Sequence, residues 1–451
     1  MLLKKVIISN YRGINGTSEV DFNIFSCIVG QNDAGKSTIL KAIDAVLNDK
    51  SGISRSDYNV LSNDNFISLE LQFDPLNSQQ LLGEEIPTSL EEEELTDAAG
   101  LFCWRRIWTV SDSALSKPKT YFIRKKYEGT SDFLLKTEAQ LQTQCTANGI
   151  ETSKGNGLEF NNVEKRAKLR EYNKTQGIAF NYETEEVPSS GATKLKVMAD
   201  AMKKALPAFQ YFKADTSLSD TDTTIQKYFK DMAFDLISEE LDTQEIQETI
   251  KAKLESVLEK VTDKINQVVG VSESVQPRIE FDWSKLISTS FVSSANGNDI
   301  PLSSRGDGFR RITMMAYFEY LAETTRAGGS QQIIFGFEEP ETFLHPSAQA
   351  KLFEKLKLLN DNGYQVIVST HSPTIVGSSD KSDLIHISKP GGVYTVSRPI
   401  DTYLQIAMDL GIKPDNTFTP LFSTSRALLL VEGIDDAKAM HHNAAMYKAA
   451  G

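Results

Sequence analysis

Apolar residues follow two rhythms along this chain. From residue 3 to 9 and from 18 to 29 they alternate or run together, which predicts two strands joined by the polar connection Asn10-Tyr11-Arg12-Gly13-Ile14-Asn15-Gly16. The second run ends in Phe25-Ser26-Cys27-Ile28-Val29, apolar without alternation as in a buried strand, and residues 38–47 then show helical spacing. Phe66 to Phe73 alternates, predicting a strand with one solvated face, and Phe102 to Val110 and Tyr121 to Tyr127 read as further strands. From about 130 to 195 the periodicity is poor and Ser, Thr, Asn, Gly and Lys are frequent, so a loop-rich insertion with short helices is expected.

From about 196 to 268 long amphipathic helices are expected, most clearly over Ile246 to Val269. There Ile246, Ile250, Leu254, Val257, Leu258, Val261 and Ile265 recur at three- and four-residue steps. Such a stripe faces either its own core or another subunit. Arg278-Ile279-Glu280-Phe281 reads as a strand returning to the first part of the chain, and Gln332 to Phe337 and Tyr364 to Ser369 as two more buried strands. The fold class is α/β. Its expected divisions are a first lobe over 1–195, a helical insert that could dimerise over 196–289, a second lobe over 290–400, and a linker with a short terminal segment over 401–451.

The 451 residues, 40% of them hydrophobic, suffice for two or three cores. Cys27, Cys103 and Cys145 are far apart and lack His at ligand spacing, which disfavours a zinc site or a disulfide framework and suits a reducing cytoplasm. No apolar run approaches a membrane span and the start lacks a signal-type apolar region, so a cytoplasmic protein is expected. A net charge of −13 argues against nucleic acid clinging to the whole surface but leaves room for a local groove. Arg124-Lys125-Lys126 and Lys165 to Arg170 could line one, or could be solvated faces; the run Glu91 to Glu94 reads as a solvated loop or helix face.

The stretch Gly30-Gln31-Asn32-Asp33-Ala34-Gly35-Lys36-Ser37 satisfies the pattern G-x-x-x-x-G-K-[ST], with a strand before it and a helix after it. Inward-turned amides at a helix start cradle phosphate, Lys36 reaches β- and γ-phosphates, and Ser37 ligates Mg²⁺. Gln332 to Phe337 ends in the adjacent carboxylates Glu338 and Glu339, a costly arrangement unless a cation or reacting water is present. On strand-end geometry Glu338 serves Mg²⁺ and Glu339 polarises the attacking water, so ATP and Mg²⁺ are the expected cofactors. His371, just past the strand Tyr364 to Ser369, is expected to contact the γ-phosphate. Ser304 and Gly306, in a Ser/Gly turn opening the helix Ile312 to Leu321 behind Arg310 and Arg311, could form an anion site or be an ordinary capped helix start.

This order of motifs, with Glu-Glu-Pro-Glu-Thr-Phe-Leu-His-Pro over 338–346 and Ser-Thr-His-Ser-Pro over 369–373, resembles the ABC-type ATPases of the RecF, SMC and OLD (overcoming lysogenisation defect) group. It is most similar to the OLD-like ATPases, among them the ATPase subunits of the Septu and Gabija anti-phage systems. The resemblance implies an ABC-type P-loop ATPase head with a mixed β-sheet lobe and a helical insert, with Gly30 to Thr38 as Walker A and Glu338 and Glu339 ending Walker B. It makes His371 the switch histidine and puts Ser304 and Gly306 in the signature motif, read here as Ser-Arg-Gly where transporters have Ser-Gly-Gly. It further implies ATP sandwiched between two subunits of a homodimer or higher homo-oligomer, DNA as a target, and a nuclease partner in antiviral defence. A RecF- or SMC-like repair clamp without a nuclease is the alternative. Gln72 is a Q-loop candidate by location alone.

Near the end, Arg426 to Val431 followed by Glu432-Gly433 and Asp435-Asp436 resembles the opening of the Toprim nuclease domain of OLD proteins, a short remnant or truncated start, with an unrelated closing strand and helix as the alternative. One acidic strand end offers too few oxygens for a metal-dependent nuclease, so this chain alone is expected not to cut DNA.

Overall fold

Two six-stranded sheets close over one helix. The computed structural model describes residues 1–213 apart from 49–51, 77, 83–85, 131 and 155–156, and residues 332–410 apart from 343, 399 and 401–402. It also describes the hairpin residues 292–295 and 298–301 and the single positions 248, 251, 254, 304, 306 and 438. The strands, in chain order, are β1 Leu2–Ser9, β2 Thr17–Asp21, β3 Phe25–Val29, β4 Phe66–Asp74, β5 Gln79–Gln80, β6 Thr88–Ser89, β7 Phe102–Thr109 and β8 Lys119–Tyr127. They continue with β9 Phe180–Glu186, β10 Ala208–Phe212, β11 Val292–Ala295, β12 Asn298–Pro301, β13 Ile333–Glu338, β14 Gln365–Thr370, β15 Leu384–Ser388 and β16 Thr395–Ser397. The helices used below are α1 Lys36–Leu47, α2 Glu138–Ala147, α3 Asn162–Thr175, α4 Lys194–Ala205, α5 Pro346–Asp361, α6 Pro373–Ser378 and α7 Leu404–Asp409.

The first sheet runs β2-β1-β4-β7-β8-β9 and is antiparallel throughout. The second runs β10-β13-β14-β3-β15-β16, parallel except for its β16 edge. Helix α1 touches β1 and β4 of the first sheet and β10 and β13 of the second. Ile39, Leu40, Ala42, Ile43 and Val46 are accordingly buried around its circumference. β3 and β14 are buried at every position and β13 at all but its last, the unbroken apolar pattern of parallel strands covered on both faces. On the face away from α1, Phe353 of α5 meets Phe25 of β3 edge-on at 5.8 Å.

Several expectations are corrected. The run 18–29 is two strands in different sheets, because the chain turns at Asn23, whose N–H donates to Ser26 Oγ at 2.9 Å, before β3 enters the parallel sheet. The stretch 130–195, expected to be loop-rich with short helices, carries the helices α2 and α3 and the strand β9. α2 and α3 each begin with a capping box, at Thr137/Gln140 and Asn161/Glu164, and enclose a small core of Phe133, Leu141, Cys145 and Leu169. Helix α4 buries Met198, Ala199 and Met202 in the main core, and β10 joins the parallel sheet within a stretch expected to be helical.

The charge runs are only partly solvated: Glu91, Glu92 and Lys168 are exposed, whereas Glu93, Lys165, Arg166 and Arg170 are buried. Glu93 is 2% exposed and accepts from Arg166 Nη2 and Arg170 Nη2, both at 2.7 Å. Burial alone would raise its carboxyl, yet the two guanidinium groups hold it below the ordinary value. Arg124 pairs with Asp132 and with Glu185, Lys126 with Glu183, and Lys125 stands 3.6 Å above the Phe180 ring. Most of both basic clusters is thus paired within the fold, Lys168 alone meeting the exposed Glu171 of its own helix, where a nucleic-acid groove would need such charges free.

The three cysteines are free and buried, and burial pushes the Cys27 thiol up to about 12. Among the described residues no helix is long and apolar enough to cross a membrane. The chain divides into two compact units, Met1–Ala214 with Glu319–Gly451, and Asp215–Phe318. The helix Ile246 to Val269 apart from positions 248, 251 and 254, the strand Arg278 to Phe281, the helix Ile312 to Leu321 and the Toprim-like stretch 426–436 lie outside the described residues.

Candidate active site

Strand register brings the functional candidates of the first unit to one edge. Thr370 at the end of β14 pairs with Val29 at the end of β3, and Glu338 at the end of β13 pairs with Ser369. Gly30, Glu339 and His371 therefore each leave the sheet at neighbouring carboxyl ends, where open α/β sheets collect ligands.

The turn from β3 into α1 depends on two glycines. Gly30 has φ 156°, and a Cβ there would stand 2.1 Å from the Ile387 carbonyl oxygen of β15. Gly35, at φ 105°, is the N-cap of α1, and its Cβ would stand 2.7 Å from the Tyr394 ring. No side chain caps α1 and no acidic residue lies in its first turn, so its leading amides suit an anion. Lys36 is 4% exposed and donates from Nζ to the carbonyls of Gly30 at 3.0 Å and Gln31 at 2.9 Å. Its Nζ is 3.9 Å from Glu339 Oε1, and burial holds the ammonium below its ordinary pKa. Gln31 donates to Asp409 of α7 at 3.1 Å, and Asp409 is 2.7 Å from His386 Nε2 on β15, so the loop is braced from behind.

A cleft of about 520 Å³ opens over this loop, within the range of small-molecule sites. Asn32, Gly35, Lys36, Ser37, Thr38 and Glu339 line it. Arg12, Lys41, Lys389 and Tyr394 line it as well, and none of them was among the expected site residues. A signal existed for Arg12, in a Gly-containing polar turn before the motif; the lone aromatic Tyr394 carried none.

Beyond β13 the backbone tightens. Glu339 has φ 44°, a left-handed conformation that a residue with a side chain adopts at a cost, and its N–H donates to the Ser369 carbonyl at 2.8 Å. Glu338 accepts from Tyr211 OH. His371 Nδ1 is 3.4 Å from Glu339 Oε2 and 3.7 Å from Glu341 Oε1. The hydrogen bond to Glu339 holds the imidazole above its ordinary pKa. His371 lines an adjoining cleft with Glu341, Ser372 and Thr374, and meets the phosphate-loop cleft through Glu339. Gln72 does not line either cleft: it sits in the antiparallel sheet with its amide on Glu70 Oε1 at 2.6 Å. Ser304 and Gly306 are exposed and belong to the other compact unit. Among the described residues no group of three or more His, Cys, Asp or Glu is arranged to hold a metal. The hydroxyl of Ser37 and the carboxylate of Glu338 fit the oxygen preference of Mg²⁺, which needs few protein ligands where phosphates and water complete its shell.

Residues 1–376 match the AAA_15 model of the AAA ATPase domain. The "Old nuclease" of Escherichia phage P2 is 32% identical over 158 residues, 33% of this chain and 26% of that protein, so the chain matches about a quarter of that relative's length. Similar solved structures include an SMC head bound to the C-terminal winged-helix domain of ScpA, at 13% identity, TM-score 0.43, and coverage of 88% of this chain and 97% of that one. The SMC head domain from Thermotoga maritima is 14% identical with a TM-score of 0.36, covering 89% of this chain and 100% of its own.

Proposed function

The chain belongs to the AAA ATPase domain family and hydrolyses ATP, and from that premise we propose the residues that do so and the setting in which they act. Lys36 neutralises the β- and γ-phosphates, with the amides at the start of α1 holding their oxygens. Ser37 and Glu338 would hold Mg²⁺, which would supply positive charge to offset that of the phosphates. Glu339 takes the proton of the attacking water; its Oε1 faces the cleft beside Lys36, while Oε2 faces His371. His371 carries the γ-phosphate contact or acts through Glu339. The observation that carries this reading is the shared carboxyl edge of β3, β13 and β14, which converges Gly30, Glu338, Glu339 and His371 from three distant stretches of sequence.

The site is completed in trans by Ser304 and Gly306 of a second copy, in a homodimer or higher oligomer whose ATP cycle gates engagement of DNA. Coupling to a nuclease, in an anti-phage system, rests on the match to Old nuclease and asks for a partner or for segments beyond the matched third. The gated clamp asks for less, since it needs the ATPase alone. Hydrolysis should rise with protein concentration and with added duplex DNA. Lys36→Ala and Ser304→Arg chains, each inactive alone, should regain activity when mixed. A rate independent of protein concentration, with no recovery on mixing, would exclude the shared site. Co-purification of a nuclease from the native host would favour the nuclease-coupled reading.

A further inference from the structure

Behind His371 stands a carboxylate that the hydrolysis scheme leaves unused. Glu341 is 2% exposed, three residues beyond the end of β13, and its Oε1 accepts from Thr370 Oγ1 and from the His371 backbone N–H at 3.1 Å. The same Oε1 lies 3.7 Å from His371 Nδ1, so Glu341 grips the histidine by its backbone and faces its ring. Its Oε2 is buried with no hydrogen-bond partner among the described residues. Burial raises its pKa, a cost that a structural filler such as Gln or Leu would avoid.

We propose that Glu341 is the positioning residue for His371 and, through it, for Glu339. Glu341 Oε1 and Glu339 Oε2 flank the same ring nitrogen of His371, Nδ1, at 3.7 and 3.4 Å, and Glu339 in turn lines the phosphate-loop cleft. Glu341 keeps the ring turned so that the Nδ1 proton faces Glu339 Oε2, which leaves Glu339 Oε1 directed at the cleft beside Lys36. The charged groups facing His371 are Glu339 and Glu341, which favour its protonation, and Lys36, which opposes it.

This inference rests on the proposed roles of Glu339 and His371, and its test has one arm that needs no turnover. His371 is one of five histidines, few enough for its imidazole to be followed by NMR as pH changes. In Glu341→Gln its titration midpoint should fall by at least about 0.5 pH unit, because one of two favourable charges is gone. In the second arm Glu341→Gln should lower kcat about tenfold at unchanged ATP affinity and move the His371-dependent limb of the pH–rate profile to lower pH. On a His371→Ala background the same substitution should change nothing, since its route is cut. Thr370→Val, which removes one hold on Glu341, should act in the same direction and more weakly, and serves if Glu341→Gln folds poorly. An unmoved His371 midpoint, or an equal cost with and without His371, would overturn the inference. Loss of hydrolysis roles for Glu339 and His371 with the midpoint shift retained would instead count against the catalytic reading alone.

Discussion

Glu93 shows how a charge can be structural while looking like surface. Its carboxylate is enclosed between Arg166 and Arg170, with Glu94 also reaching Lys125 and Arg170 at 3.6 and 3.4 Å. Glu93→Gln would leave two guanidinium groups facing a neutral amide in a buried site, and a cost of about 3–5 kcal/mol is expected. Thermal unfolding of the variant checks this; a melting temperature equal to wild type would contradict it. Because the Glu93 pKa is depressed in the fold, its contribution is fully present above the ordinary glutamate pKa and is lost as pH falls through the lower folded value. The difference in stability between the two proteins should therefore shrink below about pH 4.5. None of this was legible in the residues, because a run of glutamates and a run of lysines and arginines some seventy positions apart carry no mark of pairing.

At the scale of elements, what could be read was what local chemistry dictates. β3, β13 and β14 are written as unbroken apolar runs, β4 as an alternation, and the phosphate loop as fixed glycines and a lysine between strand and helix. What could not be read was what distant partners supply. β9, Phe-Asn-Tyr-Glu-Thr-Glu-Glu, is an exposed edge strand too polar to read as one, laddered to β8 and tied to it by Glu183, Glu185 and Glu186 on Lys126, Arg124 and Lys119. The wall formed by Lys389 and Tyr394 comes from a turn some 350 residues after the loop it faces, and periodicity says nothing of such encounters. One glycine tests the element directly. In Gly30→Ala the new methyl would meet the Ile387 carbonyl, which is backbone and cannot swing aside, so the loop or β15 must shift. Loss of ATP binding is expected with the fold retained by circular dichroism and a destabilisation of about 1–3 kcal/mol. Wild-type ATP affinity in this variant would show that the loop does not need the observed geometry.

At the scale of the first compact unit, the parallel sheet brings three strand ends to one edge, where the phosphate-loop cleft and the cleft lined by His371 adjoin through Glu339. The parallel sheet aligns Gly30, Glu339 and His371; α1 packs between that sheet and the antiparallel one; the glycines open room at a helix start for phosphate. The measurement that tests this most directly compares ATP binding with single-turnover hydrolysis in wild type, Lys36→Ala and Glu339→Gln. Lys36→Ala should lose at least about 100-fold in affinity, or about 2.8 kcal/mol, because a buried charge partner of the phosphates is gone. Glu339→Gln should bind ATP within about twofold of wild type yet hydrolyse it at least about 100-fold more slowly, since only the group that takes the proton of water has changed. Equal affinity in Lys36→Ala, or undiminished turnover in Glu339→Gln, would contradict the account.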